Sequence, residues 1–236
     1  MKKKNKQSSA DIARYVILGT LGLILGAVVV YSLLYIFGVT DDAERPPYLT
    51  LSGNDLQTEP IEVIEFFSYD CPHCRRLESF VDDWVENLPD GVTFRRVHVA
   101  FSGRTKVLAT IHWMLQERGI LDQNHDRIFK TAGEGKLYIF ETLETMAEYF
   151  DGYGITAEQF KALFNSQTLA RRVEDNQTLT DRYRVTSVPQ ILVANKYKVF
   201  ASKKSEKILE VVDELIINIL SGELPETEAT VEETKN

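Results

Sequence analysis

From Tyr15 to Val39 the chain runs for 25 residues without a charge, and that run decides how the remainder can fold. As a helix rising about 1.5 Å per residue it exceeds the roughly 30 Å hydrocarbon thickness of a bilayer. Lys2, Lys3, Lys4, Lys6 and Arg14 precede it, and Asp41, Asp42 and Glu44 follow. The positive-inside rule then makes 1–14 a cytoplasmic tail and carries the rest of the chain across the membrane. A cleaved signal peptide is the competing reading. Its apolar region would be only about 7–15 residues, closed by a small-x-small site. The run here is longer and Gly38-Val39-Thr40 is a poor cleavage site. The expectation is a retained transmembrane helix at 15–39, single-pass in the inner membrane. Gly22 and Gly26 have GxxxG spacing, but glycine is common in membrane spans without a packing role.

Beyond the anchor, 40–47 reads as a polar linker stiffened by Pro46-Pro47. Residues 48–220 form a domain large enough to bury a core. Five basic residues against Asp11 give residues 1–14 a charge of +4, which leaves −12 on the remainder of a chain whose net charge is −8. An outer domain that acidic offers no electrostatic footprint for nucleic acid. Residues 221–236 hold five glutamates, one lysine and no aromatic residue, the composition of a solvated, disordered tail.

Within the domain, Tyr48–Leu51 predicts a weak strand and the more continuously apolar Ile61–Phe67 a buried central one. From Cys71 the pattern turns helical, with Leu77, Phe80, Val81 and Trp84 on one face. Pro89-Asp90-Gly91 signals a turn, followed by a strand over Val92–Val99. A mostly helical block of about 105–184 comes next. Val107, Ile111, Met114 and Leu115 line one of its faces, Gly119 is a stop signal, and Thr156-Ala157-Glu158-Gln159 is a capping box. Strands return at Gln190–Ala194 and Tyr197–Ala201 around a tight Asn195-Lys196 turn. A last helix carries Ile208, Val211, Val212, Leu215, Ile216 and Ile219 on one stripe. The fold class is α/β, with a helical insertion far longer than a simple βαβ crossover needs.

The only two cysteines stand in Cys71-Pro72-His73-Cys74, at the junction of a predicted strand and helix. A thiol there meets the positive end of the helix dipole and unpaired backbone N–H groups, which favour its thiolate. Cys71 is the candidate nucleophile and Cys74, one turn along and more buried, the resolving thiol. Pro72 suits a first turn because it has no N–H to leave unpaired. His73 can add charge or a hydrogen bond to the thiolate. A stabilised thiolate stabilises the reduced form and makes the disulfide more oxidising. A purely structural disulfide would close only a four-residue segment and add little stability. Zinc would need two more ligands from His73, His98, His112 and His125, whose spacing is unfamiliar. Inert buried thiols are the third alternative; placement favours redox chemistry over all three.

Glu65-Phe66-Phe67-Ser68-Tyr69-Asp70-Cys71-Pro72-His73-Cys74 resembles the active-site segment of the DsbA family of thiol:disulfide oxidoreductases, and Val185-Thr186-Ser187-Val188-Pro189 resembles that family's cis-proline loop. The likeness runs from about Tyr48 to Leu220. It implies a thioredoxin-like fold and a cis Val188–Pro189 bond, with Val188 backbone groups free to pair with an extended substrate. Valine before this proline resembles the oxidase branch. An acid matching Glu65 exchanges protons with the buried thiol in such a site, alongside an acid matching Glu78 and a lysine matching Arg96. Arginine is a departure: it pairs with carboxylates but does not relay protons. A plain structural ion pair is the alternative for these three. His98 reads as a strand or core histidine and Trp113 as packing. The Asn176-Gln177-Thr178 sequon is discounted because it falls in a helical stretch.

The resemblance further implies reduced exported proteins as substrates, a DsbB-like membrane quinone reductase for reoxidation, and no cofactor or metal beyond a Cys71–Cys74 disulfide. The same cysteines would serve a reductase or isomerase, and a binding or chaperone module with dispensable thiols is the reading from another class.

Overall fold

A computed structural model of the chain describes residues 9–36, 47–200 and 206–223. The lysines at 2–6, most of the expected linker, the end of the last strand at Ala201 and the acidic tail beyond Glu223 lie outside the described residues. The chain divides into two compact units, Met1–Arg45 and Pro46–Asn236. In the first, α1 spans Ser9–Ile36. Its stretch Ala13–Leu33, with mean hydropathy 2.4 and no side chain buried, is long and apolar enough to cross a membrane.

In the second unit, β1 (Tyr48–Thr50) and β2 (Ile61–Phe67) are followed by α2 (Pro72–Glu86) and β3 (Val92–His98). Five helices come next: α3 (Gly103–Glu117), α4 (Asp122–Gly133), α5 (Leu143–Phe150), α6 (Ala157–Phe164) and α7 (Gln167–Arg182), with a 3-10 turn at Leu137–Phe140. The chain then returns through β4 (Gln190–Val193), β5 (Tyr197–Phe200) and α8 (Glu206–Ser221). The sheet order is β1-β5-β4-β2-β3. Among the described strands of this sheet β2 and β3 pair in parallel and the other neighbours antiparallel, and a parallel neighbour requires the crossover that α2 supplies.

β2 lies between β3 and β4 and is covered on both faces, which explains its near-continuous apolar sequence. Ile61 and Val63 pack with Leu77 and Val81 of α2 and with the α8 stripe. Ile64 and Phe66 face the other way, onto Tyr183 and Val185 beyond α7. Phe67, at the carboxyl end, joins the core of the inserted helices. Glu65 is therefore the one charged residue on the side of β2 that carries Ile61, Val63 and Phe67.

Two expectations need correction. Phe80 is 42% exposed, whereas Leu77 and Val81 are fully buried. At 3.6 residues per turn Val81 lies about 40° round the helix from Leu77 and Phe80 about 60° the other way, which takes Phe80 off the edge of the stripe. The β4–β5 turn begins one residue early: Ala194 and Asn195 have φ of 53° and 60°. There the Tyr183 hydroxyl bonds the Asn195 side chain, and the Ala194 N–H donates to Glu62 O at 2.9 Å. Other signals hold. Gly119, at φ 66°, follows the end of α3, where the Ile120 N–H reaches Leu115 O at 2.9 Å. Thr156 and Gln159 form the reciprocal capping box of α6.

These positions separate in a stability measurement. Leu77→Ala leaves a cavity between sheet and helix and is expected to cost about 2–5 kcal/mol. Phe80→Ala is expected to cost under about 1 kcal/mol, both read from chemical denaturation of the full-length chain.

Candidate active site

The chain leaves β2 at Phe67, turns through Ser68-Tyr69-Asp70, and enters α2 with Cys71 as the capping residue, in extended conformation at φ −90°, ψ 116°. Pro72 occupies the first helical position, where no N–H is missed. The Cys74 N–H donates to Cys71 Sγ at 3.3 Å, so the nucleophile candidate accepts one of the helix's orphan donors. Cys71 Sγ in turn lies 3.4 Å from the carbonyl of Val188, next to Pro189. The Val188–Pro189 bond is cis, as the resemblance implied. Residues 117 apart in sequence thus meet at one sulfur. Both cysteines are free thiols in this structure.

The two thiols differ sharply. Cys71 is half-buried, and its pKa falls to about 6; the Cys74 side chain as donor is the largest cause, and the backbone N–H groups of Cys74 and His73 add to it against burial. Cys74 is completely buried. Burial pushes its thiol far up, reinforced by its bond to Cys71. At neutral pH Cys71 is mainly thiolate and Cys74 stays protonated as its donor.

Near Cys74, whose thiol feels the charge of Glu65, lies a charge network drawn from β2, α2, β3 and α4. Glu65 of β2 is 1% exposed, and neither carboxyl oxygen has a hydrogen-bond partner among the described residues. Burial, then the charge of Glu78, pushes its pKa up to about 8, with Arg96 opposing. Arg96, paired in register with Glu65 across β2 and β3, places Nε 3.5 Å from Glu65 Oε2. Its Nη2 donates to Glu78 Oε1 at 2.6 Å and to Asp82 Oδ1 at 2.9 Å. Burial raises Glu78 to about 7, again with Arg96 opposing. Burial would lower Arg96, but Glu78 and Glu65 outweigh it and raise its pKa. Carboxylate oxygens of Glu78, Asp82 and Asp126 come within 4.8 Å of one another. Arg96 already bonds two of them, so the group reads as an internal ion-pair network.

The histidines fall differently. His73 is exposed, and its Nδ1 accepts from Arg76 Nη2 at 2.6 Å; the part of His73 that bears on Cys71 is its backbone N–H. His98 is a core residue as expected: Nδ1 donates to Val99 O at 2.8 Å, and Nε2 accepts from the Tyr69 N–H at 3.0 Å. His112 of α3 and His125 of α4 converge with His98 around Phe67 and Tyr69. The Tyr69 hydroxyl lies 3.0 Å from His112 Nδ1 and 2.8 Å from His125 Nδ1. These nitrogens are engaged inside the protein, so the histidines build a buried polar cluster that sequence reasoning missed. The available signal was His112 amid Leu108, Ala109, Ile111, Met114 and Leu115, since a polar group on such a face needs a partner. Trp113 packs against the same core. Asn176 is buried and bonds Arg172 O, which fits discounting the sequon.

A pH titration tests the cap. Because the folded pKa of Cys71 is depressed, the stabilisation its thiolate gives the reduced form is present above the ordinary thiol pKa and is lost as pH falls through about 6. Thiolate ultraviolet absorbance of the reduced chain is expected to rise with a midpoint near 6. Cys74→Ala removes the leading donor and should move that midpoint upward.

The geometry agrees with comparisons to known proteins. The family model for a DSBA-like thioredoxin domain matches residues 62–213. The thiol:disulfide interchange protein DsbA of Azotobacter vinelandii is 31% identical over 206 residues, covering 82% of this chain and 95% of that protein. Its namesake from Pseudomonas syringae is 30% identical over 203 residues, covering 82% and 94%. The crystal structure of Pseudomonas aeruginosa DsbA superposes with a TM-score of 0.68 at 31% identity, over 75% of this chain and 93% of that one. The fold is thioredoxin-like with inserted helices, and the chain belongs to the DsbA family of thiol:disulfide oxidoreductases.

Proposed function

We propose that this protein is a membrane-tethered dithiol oxidase that introduces disulfides into exported proteins. The observation that carries the direction is the opposite shift of the two thiols, Cys71 down to about 6 and Cys74 far up. A stabilised Cys71 thiolate favours the reduced enzyme, so the Cys71–Cys74 disulfide readily takes electrons. Valine at 188 supports the same direction through its likeness to the oxidase branch.

A substrate thiolate attacks Cys71 Sγ in the oxidised enzyme. The sulfur–sulfur bond breaks, its electron pair goes to Cys74, and Cys74 takes up a proton. Glu65 is the donor in this reading, supported by its burial, its pKa raised to about 8 and its electrostatic action on Cys74. Glu78 and Arg96 set the charge around that acid. A second substrate thiolate then attacks the substrate sulfur of the mixed disulfide. The substrate disulfide forms, and Cys71 leaves as the thiolate that the α2 N-terminus stabilises. Val188 and Pro189 dock the extended substrate beside Cys71, supported by the 3.4 Å approach of Sγ to the Val188 carbonyl. His73 contributes through its backbone, and Pro72 by shaping the first turn. The redox-active disulfide serves in place of any cofactor.

The apolar α1 and the basic residues before it support an inner-membrane anchor with the N-terminus in the cytoplasm and the catalytic domain in the periplasm. Disulfides persist in that compartment. A tether holds the enzyme in one plane with a DsbB-like quinone reductase that accepts its electrons, raising their effective concentration.

Thiol-alkylation trapping in cells tests the direction. The Cys71–Cys74 pair is expected to be predominantly oxidised, and Cys71→Ser to abolish substrate oxidation. A predominantly reduced pair with the electron acceptor intact would make the protein a reductase, and full function in Cys71→Ser would remove catalysis from the account.

A further inference from the structure

We infer that Tyr69, His112 and His125 form a hydrogen-bond chain of fixed polarity that turns an N–H of His125 toward Glu78, making Tyr69 and His125 positioning residues for the acid network near Cys74. The role of that network rests on the proton-exchange reading given above; the chain itself is drawn from geometry.

The Tyr69 hydroxyl carries one proton, yet it lies within hydrogen-bond distance of two imidazole Nδ1 atoms, at 3.0 Å from His112 and 2.8 Å from His125. It can donate to one only, so the other Nδ1 must carry a proton and donate to the oxygen. Burial keeps His125 and His112 neutral, lowering His125 to about 4 and His112 well below its usual value. Burial likewise raises Tyr69 and holds its proton in place. Each ring then has one proton, and two polarities remain.

In the first, His112 is protonated at Nδ1 and donates to Tyr69, and Tyr69 donates to His125 Nδ1. His125 then carries its proton on Nε2, 3.2 Å from Glu78 Oε1. In the second every bond reverses. His112 would carry its proton on Nε2, which is buried without a partner among the described residues, and His125 would turn a lone pair toward the carboxylate. An orphaned buried N–H and two facing lone pairs are both unfavourable, so both ends of the chain select the first polarity. The His125–Glu78 contact is close but not aligned as a hydrogen bond. What reaches Glu78 is the favourable field of an N–H dipole, added to the direct bond from Arg96.

Glu78 is faced by Glu65 from β2, Arg96 from β3, Asp82 one turn along α2, and His125 and Asp126 from α4. Three of these are carboxyls that oppose its ionisation, together with burial; Arg96 and the His125 N–H favour it. Tyr69 also lies two residues before Cys71, in the turn whose Ser68 carbonyl accepts the Cys71 N–H at 3.0 Å. One side chain therefore links the turn that presents the nucleophile to the acids near the resolving thiol.

Long-range proton–nitrogen correlation spectra of the nitrogen-15-labelled full-length chain at neutral pH read the tautomers directly. A proton on His112 Nδ1 and on His125 Nε2 is expected; the reverse pair, or a cationic ring, overturns the chain. Isotope-edited infrared titration of Glu78 tests its effect. His125→Phe should raise the midpoint by about half a pH unit or more, and Tyr69→Phe, which removes no group touching Glu78, should raise it by less. No movement in His125→Phe overturns the positioning role. If either variant fails to fold, the spectra of the unaltered chain decide alone. Glu78→Gln separates the two levels. If it leaves the pH profile of resolution by Cys74 unmoved while the tautomers are as expected, the proton-exchange reading fails and the chain stands.

Discussion

The chemistry of this protein depends on one contrast: two thiols a single helical turn apart occupy different dielectrics. Cys71 caps α2, where it accepts the Cys74 N–H and stays half exposed. Cys74 points into a core of aromatic and aliphatic side chains and is wholly buried. The helix end stabilises negative charge on one sulfur, while the core penalises it on the other. Neither effect requires an unusual group. Both follow from where α2 begins relative to β2, and hence from the turn Ser68-Tyr69-Asp70 that joins them.

That turn is held from both sides. Below it, β2 is pinned between β3 and β4 and covered on both faces, so its carboxyl end has a fixed position. Above it, the inserted helices bring His112 and His125 onto Tyr69, and His98 of β3 accepts the Tyr69 N–H. The insertion thus has a physical task besides covering the active end of the sheet. It supplies the walls that bury Cys74 and the polar partners that let Tyr69 be buried with it.

Much of this was legible in the sequence, for reasons that differ by residue. The order of strands and helices followed from local patterns, because Ile61–Phe67 is apolar at every position but Glu62 and Glu65 and α8 repeats its stripe at helical spacing. The cap at Cys71 followed from Pro72, which fits only the start of a helix. The approach of Val188 to Cys71 came from resemblance alone, since no local rule joins residues 117 apart. Phe80 misled because an apolar residue three places from Leu77 fits a helical stripe by spacing, and only the width of the sheet-facing surface decides whether it is covered. The histidine cluster escaped because its members come from a strand and two helices whose mutual packing no periodicity encodes.

In the proposed oxidase this contrast would make the disulfide a better electron acceptor than an ordinary structural one. Equilibration of the full-length protein with defined ratios of reduced and oxidised glutathione, with the fraction of Cys71–Cys74 disulfide read after acid quenching, measures it directly. The expected reduction potential is less negative than that of glutathione, so that the site is reduced even where oxidised glutathione is abundant. A potential as negative as those of structural disulfides, below about −300 mV, would contradict it.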